Sequence, residues 1–160
     1  MPERKRVLLY GKVGVGKSTL TEKTCGVNDI SMDHYESVTR SSRTYPSIHP
    51  ELSFTDAPGN NDDEDPMDHN LWIAQAMNAG PLSMIALVVK ADKRLPNMTQ
   101  GVKELASSFL DFHEYLCIVI THADLERTWS DQVVRDSLSA KLSRSGVSTN
   151  HNDLLDSQLC

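Results

Sequence analysis

The first chemistry the chain offers lies in Gly11-Lys12-Val13-Gly14-Val15-Gly16-Lys17-Ser18, followed by Thr19. Glycines at 11, 14 and 16 let the backbone curl so that successive N–H groups point inward at an anion, and the amino end of a following helix adds its positive pole. Lys17 supplies a point charge suited to the β and γ phosphates of a nucleotide. Ser18 offers a hydroxyl ligand to Mg2+, and Thr19 is placed to assist at the α phosphate. A glycine-rich turn that happens to end in Lys-Ser is the plain alternative. Context decides between them, and here the loop runs directly from the apolar stretch Val7-Leu8-Leu9-Tyr10 into a helical stretch from Lys17 to Cys25.

A phosphate loop alone does not choose the nucleotide, so later residues must. Asp56-Ala57-Pro58-Gly59 follows the apolar stretch Leu52-Ser53-Phe54-Thr55. A carboxylate at that strand end faces the loop and could hold Mg2+ through a water. Gly59 could offer its N–H to a γ phosphate, giving a segment ordered by the triphosphate and released on hydrolysis; a simple turn is the alternative, since Asp, Pro and Gly are common in turns. Within Glu36-Ser37-Val38-Thr39-Arg40, Thr39 is the candidate to reach Mg2+ by its hydroxyl and the γ phosphate by its N–H, with Ser37 or Thr44 as substitutes. Thr121-His122-Ala123-Asp124 comes directly after the apolar run ending at Ile120. An aspartate there accepts both hydrogen bonds offered by guanine N1–H and its exocyclic amine, a donor pair that adenine lacks. His122 either stacks on the base or is an exposed loop histidine. Val89-Lys90-Ala91-Asp92 has a similar look one strand earlier but lacks the Asn or Thr that braces such a loop, and reads as a strand end entering a surface turn.

These residues need elements to position them. Val7 to Tyr10, Ser83 to Val89 and Tyr115 to Ile120 are short continuous apolar runs, as expected of strands buried on both faces of a parallel sheet. Thr44 to His49 and Glu51 to Thr55 are strand candidates interrupted by Pro46 and Pro50, so they predict an edge hairpin, with the first at the sheet's edge. Helices are predicted over Lys17–Cys25, Met67–Asn78, from Asn97 or Thr99 to about His113, and over Trp129–Arg144. The polar stretches Val27–Ser42 and Asp56–Pro66 read as loops. The order is that of an α/β fold, a three-layer P-loop domain with a mostly parallel sheet and one antiparallel edge strand, and every motif falls beyond the carboxyl end of a strand, where such sheets bind ligands.

Bulk numbers agree with one domain spanning 1–160: the chain has 160 residues, 39% hydrophobic and 24% charged. A net charge of -6 argues against nucleic acid or an anionic membrane surface as the main partner. Three widely spaced cysteines without metal spacing read as reduced thiols. The start lacks a signal-peptide core and no stretch approaches a transmembrane segment of about 20 apolar residues. The expected compartment is cytoplasmic.

Taken together, GKVGVGKSTL, ESVT, DAPG and THAD resemble the immune-associated nucleotide-binding GTPases (the GIMAP family and its plant avirulence-induced relatives), within the wider group that holds the chloroplast outer-envelope receptor GTPases and septins. The resemblance covers roughly residues 5 to 125. It implies binding of GTP and GDP with Mg2+, slow hydrolysis, and a homodimer across the nucleotide face. The chain departs from the family at two positions. Ala57 stands where the family usually has Thr, a change expected to be tolerated because the loop backbone does the contacting. Asn60 stands where Ras-like proteins carry the glutamine that orients attacking water, one methylene longer, so unaided hydrolysis should be slow. Ser148-Thr149-Asn150 is a candidate remnant of the last guanine-contacting loop, and the chain reads as truncated at its C-terminal helix. A P-loop small-molecule kinase and a nucleotide-binding interaction module without hydrolysis are the rival readings. The acidic run Asp62-Asp63-Glu64-Asp65 is unlike the arginine-bearing lid such kinases carry.

Overall fold

The computed structural model describes residues 4–28, 42–59, 66–91 and 95–123, so Thr39, Asn60, Asp124, the helix expected over 129–144 and the stretch 148–150 lie outside the described residues. Five strands form one sheet in the order β2-β3-β1-β4-β5: β1 (Lys5–Tyr10), β2 (Arg43–Pro46), β3 (Leu52–Asp56), β4 (Met84–Lys90) and β5 (Leu116–Thr121). β1 pairs in parallel with β3 and β4, β4 pairs in parallel with β5, and β2 runs antiparallel against β3. The sheet is therefore mostly parallel with one antiparallel edge.

Side-chain alternation sorts the apolar runs onto two faces. Leu8, Tyr10, Ile85, Leu87 and Val89 join Ala76 of α2 (Pro66–Asn78) and Met98, Val102 and Leu105 of α3 (Leu95–Ser107) in one core. Val7, Leu9, Ala86 and Val88 face the other way, packed by Val15 and by Leu20 of α1 (Lys17–Cys25). That division makes three layers and leaves the phosphate loop where β1 turns into α1.

Element ends differ from the sequence expectation for physical reasons. β1 begins at Lys5 because Lys5 and Arg6 take their places opposite Leu52 and Ser53; backbone pairing, not hydropathy, starts the strand. β2 stops at Pro46, short of His49, and the chain turns instead, with Ser47 N–H donating to the Leu52 carbonyl (3.0 Å) and His49 N–H to Ser47 Oγ (3.1 Å). α3 starts at Leu95, ahead of the expected caps, since Pro96 is tolerated in a first helical turn. It also ends earlier, at Ser107, whose hydroxyl donates to the Glu104 carbonyl (2.6 Å) in place of helix continuation. A 3-10 turn, Leu110–Tyr115, follows, with Phe112 off helical geometry at φ -117°. That kink lets the preceding Phe109 stay buried edge-on against Tyr10, ring centroids 4.8 Å apart.

Candidate functional site

The site grows from the turn between β1 and α1. The chain enters α1 through Gly16, held at φ 93°, a conformation that favours glycine, and no side chain caps the helix's exposed N–H groups. Its first turn carries no acidic residue to satisfy the helix pole. An uncapped amino end of this kind is suited to an external anion.

Lys17 opens α1 but folds back over the loop. Its side chain is buried, and Nζ donates to the carbonyls of Gly11 (2.9 Å) and Lys12 (3.0 Å). Burial pulls its pKa down to about 8, against the opposing pull of Asp56. Asp56, at the end of β3, is 2% exposed, and burial raises its carboxyl above the ordinary range, partly offset by the charge of Lys17 and by Ser18. Ser18 Oγ donates to Asp56 Oδ2 at 3.2 Å. The second oxygen, Oδ1, is buried and has no hydrogen-bond partner among the described residues.

Gly59 closes the site from the side of β3. A Cβ at that position would stand 2.6 Å from Val13 Cγ2 and 3.0 Å from Lys17 Nζ, so only glycine allows the backbone this near the loop. Asp56, Gly59, Lys17 and Ser18 are thus brought together. Thr19 is exposed on α1, and the Lys12 ammonium points away to Glu104 of α3, 3.3 Å distant.

On the opposite side, β5 ends at Thr121, whose hydroxyl lies 2.5 Å from the Val15 carbonyl and 3.3 Å from that of Val89. His122 follows at φ 57°, exposed, its Nδ1 3.1 Å from Thr121 Oγ1. Its Cε1 is 3.5 Å from where a Cβ on Gly16 would be, so the ring stands over the phosphate loop. From the sequence Thr121 stands only as a member of the candidate guanine-binding segment 121–124; the structure shows that its hydroxyl also ties β5 to the phosphate loop. Glu104 was missed; its spacing of four from Gln100, which donates to it at 3.1 Å, was the available signal.

Two features test whether a nucleotide and a divalent cation fit. The uncapped start of α1, with a buried ammonium alongside, matches a polyphosphate. The orphaned carboxylate oxygen of Asp56 beside the Ser18 hydroxyl supplies hard oxygen donors of the kind Mg2+ takes. The residues fit both groups.

Fold and site together define an α/β phosphate-loop domain of the nucleotide-binding kind. The chain matches the family model "50S ribosome-binding GTPase" over residues 6–122, and it belongs to that family of GTP-binding proteins. No curated protein matches it. Among solved structures it is similar to Toc33 from Arabidopsis thaliana in complex with Mg2+ and GMPPNP, with 14% identity and a TM-score of 0.66 over 92% of this chain and 65% of Toc33. It is also similar to the probable GTP-binding protein EngB, with 16% identity and a TM-score of 0.55 over 86% of this chain and 80% of EngB. A third is the mGMPPNP-bound NFeoB from S. thermophilus, with 16% identity and a TM-score of 0.57 over 76% of this chain and 45% of that one. At these identities the likeness is one of fold, and the chain spans less than two thirds of Toc33 and under half of NFeoB.

Proposed function

We propose that this protein is a guanine-nucleotide switch that binds GTP and GDP with Mg2+ and hydrolyses GTP slowly. The observation that carries the reading is the convergence of Lys17, Ser18, Asp56 and Gly59 on the uncapped start of α1. Lys17 would hold the β and γ phosphates, with the N–H groups of residues 11–18 around them and Thr19 at the α phosphate. Ser18 and Asp56, with Thr39, would hold Mg2+, which when bound offsets the negative charge of the phosphates. Thr121, His122 and Asp124 would read guanine, and Gly59 and Asn60 would face the γ phosphate and the attacking water. Crystal structures of Toc33 with Mg2+ and either GMPPNP or GDP support the choice of ligands.

The GKVGVGKSTL, ESVT, DAPG and THAD segments support placing the chain near the immune-associated branch, with a homodimer across the nucleotide face and a cytoplasmic location. A crystal structure of a dimerization-deficient mutant of Toc33 supports looking for a dimer here.

Titration with labelled GDP, GTP and ATP tests base choice: guanine nucleotides should bind and ATP should not compete, whereas equal or tighter ATP binding removes the role given to Asp124. Multiple-turnover phosphate release at several protein concentrations tests the rest. A rate per molecule that climbs with concentration is expected of a dimer-assisted GTPase, and no release at all would leave a binding module without hydrolysis.

A further inference from the structure

Arg6 belongs to the basic start of the chain, yet in β1 it is only 5% exposed. Its guanidinium has five N–H groups, and the structure finds an acceptor for each. Nε donates to the Pro81 carbonyl (3.2 Å), and Nη1 to the Ala76 carbonyl (2.7 Å) and Thr55 Oγ1 (3.2 Å). Nη2 donates to the carbonyls of Met77 (2.8 Å) and Gly80 (2.5 Å). Four of these acceptors are carbonyls at or just beyond the carboxyl end of α2, where a helix leaves its last carbonyls without internal partners and carries its negative pole. The fifth, the Thr55 hydroxyl, shares a 2.8 Å hydrogen bond with Thr44, its register partner on β2. Arg6 also accepts Ser83 N–H at its own carbonyl (2.9 Å).

From β1 the clamp reaches three further elements, α2 and β3 directly and β2 through the Thr55–Thr44 bond. β3 ends at Asp56, β2 is its antiparallel neighbour, and α2 is the helix reached from Gly59 through residues 60–65. Moving the carboxyl end of α2 would strand a buried cation's donors and several carbonyls at once, whereas moving the amino end breaks none of these bonds.

We propose that Arg6 is a positioning residue that fixes the carboxyl end of α2 to β1 and β3, so that exchange of nucleotide moves the amino end of α2 about a stationary pivot. This rests on the switch reading above, and the test separates the two. Hydrogen exchange is followed by mass spectrometry on the whole chain without nucleotide, with GDP, and with GMPPNP and Mg2+. Between the two nucleotides, amides of residues 67–71 should change by about fivefold or more and those of 75–78 by less than about twofold. Arg6→Lys keeps the charge but has three donors. In nucleotide-free protein it should speed exchange at 75–78 by about tenfold, and with nucleotide it should spread the change along the whole helix. It should leave GDP affinity within about twofold and weaken GMPPNP by about fivefold, a split that a general loss of stability would not produce. Equal nucleotide-dependent changes at both ends of α2 in the unmodified protein overturn the pivot, as does unchanged exchange at 75–78 in Arg6→Lys. If Arg6→Lys does not fold, the comparison in the unmodified protein decides. A chain that binds neither nucleotide defeats the switch reading instead, while the nucleotide-free comparison still decides whether Arg6 holds α2.

Discussion

Lys17 would meet opposite pulls without and with nucleotide. Loss of water on burial lowers its pKa to about 8, whereas a bound polyphosphate would hold it protonated. The ordinary lysine value is 10.5, so between about 8 and 10.5 the unfolded chain binds more protons than the folded one, and the contribution of Lys17 to stability rises with pH across that window. The full span is on the order of 3 kcal/mol. Urea unfolding of the nucleotide-free protein from pH 7.5 to 10.5, with Lys17→Met subtracted, should show that rise; superimposable profiles would contradict it. Nucleotide binding moves the other way, weakening above pH 8 as the loop must take up a proton.

Asp56 gives the second prediction at this scale. Its raised pKa and unpartnered Oδ1 are the signs of a carboxylate placed for something other than stability. Asp56→Asn keeps an acceptor for Ser18 and removes a buried charge, so the nucleotide-free protein should be as stable or more so. Its affinity for GMPPNP should fall by roughly ten- to hundredfold, the effect of losing one charge-assisted contact, and should depend less on Mg2+. Calorimetric titration with and without Mg2+ reads both effects, and a variant enhanced by Mg2+ as strongly as the unmodified protein would remove Asp56 from the groups that hold the cation.

Elements carry the spacing between these groups. The approach of Gly59 to the phosphate loop leaves no room for a Cβ, which would meet the Val13 side chain first and then Lys17 Nζ and the Val13 backbone. Gly59→Ala should weaken GMPPNP more than GDP, by about tenfold, if this segment faces the γ phosphate as proposed, since GDP lacks that group. Val13→Ala on the same background should recover part of that loss, since the nearest clash is with the Val13 methyl at 2.6 Å; a double variant no better than the single one would place the effect elsewhere.

It is also at this scale that the limits of the sequence are plain. The phosphate loop, Asp56 at a strand end and the edge position of β2 were all legible, because glycine spacing, apolar runs and proline placement act locally. Arg6 was not, since a charged residue before an apolar strand looks solvated unless one knows that the end of α2 will cover it 70 residues later. The early end of α3 was hidden for a similar reason. Its apolar period continues through Phe109, and only the packing of that ring on Tyr10 shows that the backbone must leave the helix to seat it.

Across the whole molecule, Cys117 on β5, partly covered beside β4, reports how firmly that strand is held. Burial pushes its thiol up to about 11, so at pH 8 alkylation by iodoacetamide should run roughly a hundredfold slower than for a free thiol and should recover on unfolding in urea. Peptide mapping would check this, and rapid modification in the folded protein would mean that β5 is far less secure than its pairing implies. Among the described residues no helix is long and apolar enough to cross a membrane.

The place of β1 in the sheet has a consequence for how the protein is made. β1 lies in the middle of the sheet although it precedes the other described strands in the chain, with Lys5 opposite Leu52 on one side and Val7 opposite Met84 on the other. Both pairings are parallel, so neither can form as a local hairpin. A nascent chain emerging from the ribosome therefore carries Val7–Tyr10 unpaired until β3 and then β4 have been made. Folding should be governed by these distant closures and be slow for a domain of this size, and Val7–Tyr10, unpaired until then, is an apolar segment that a chaperone would bind.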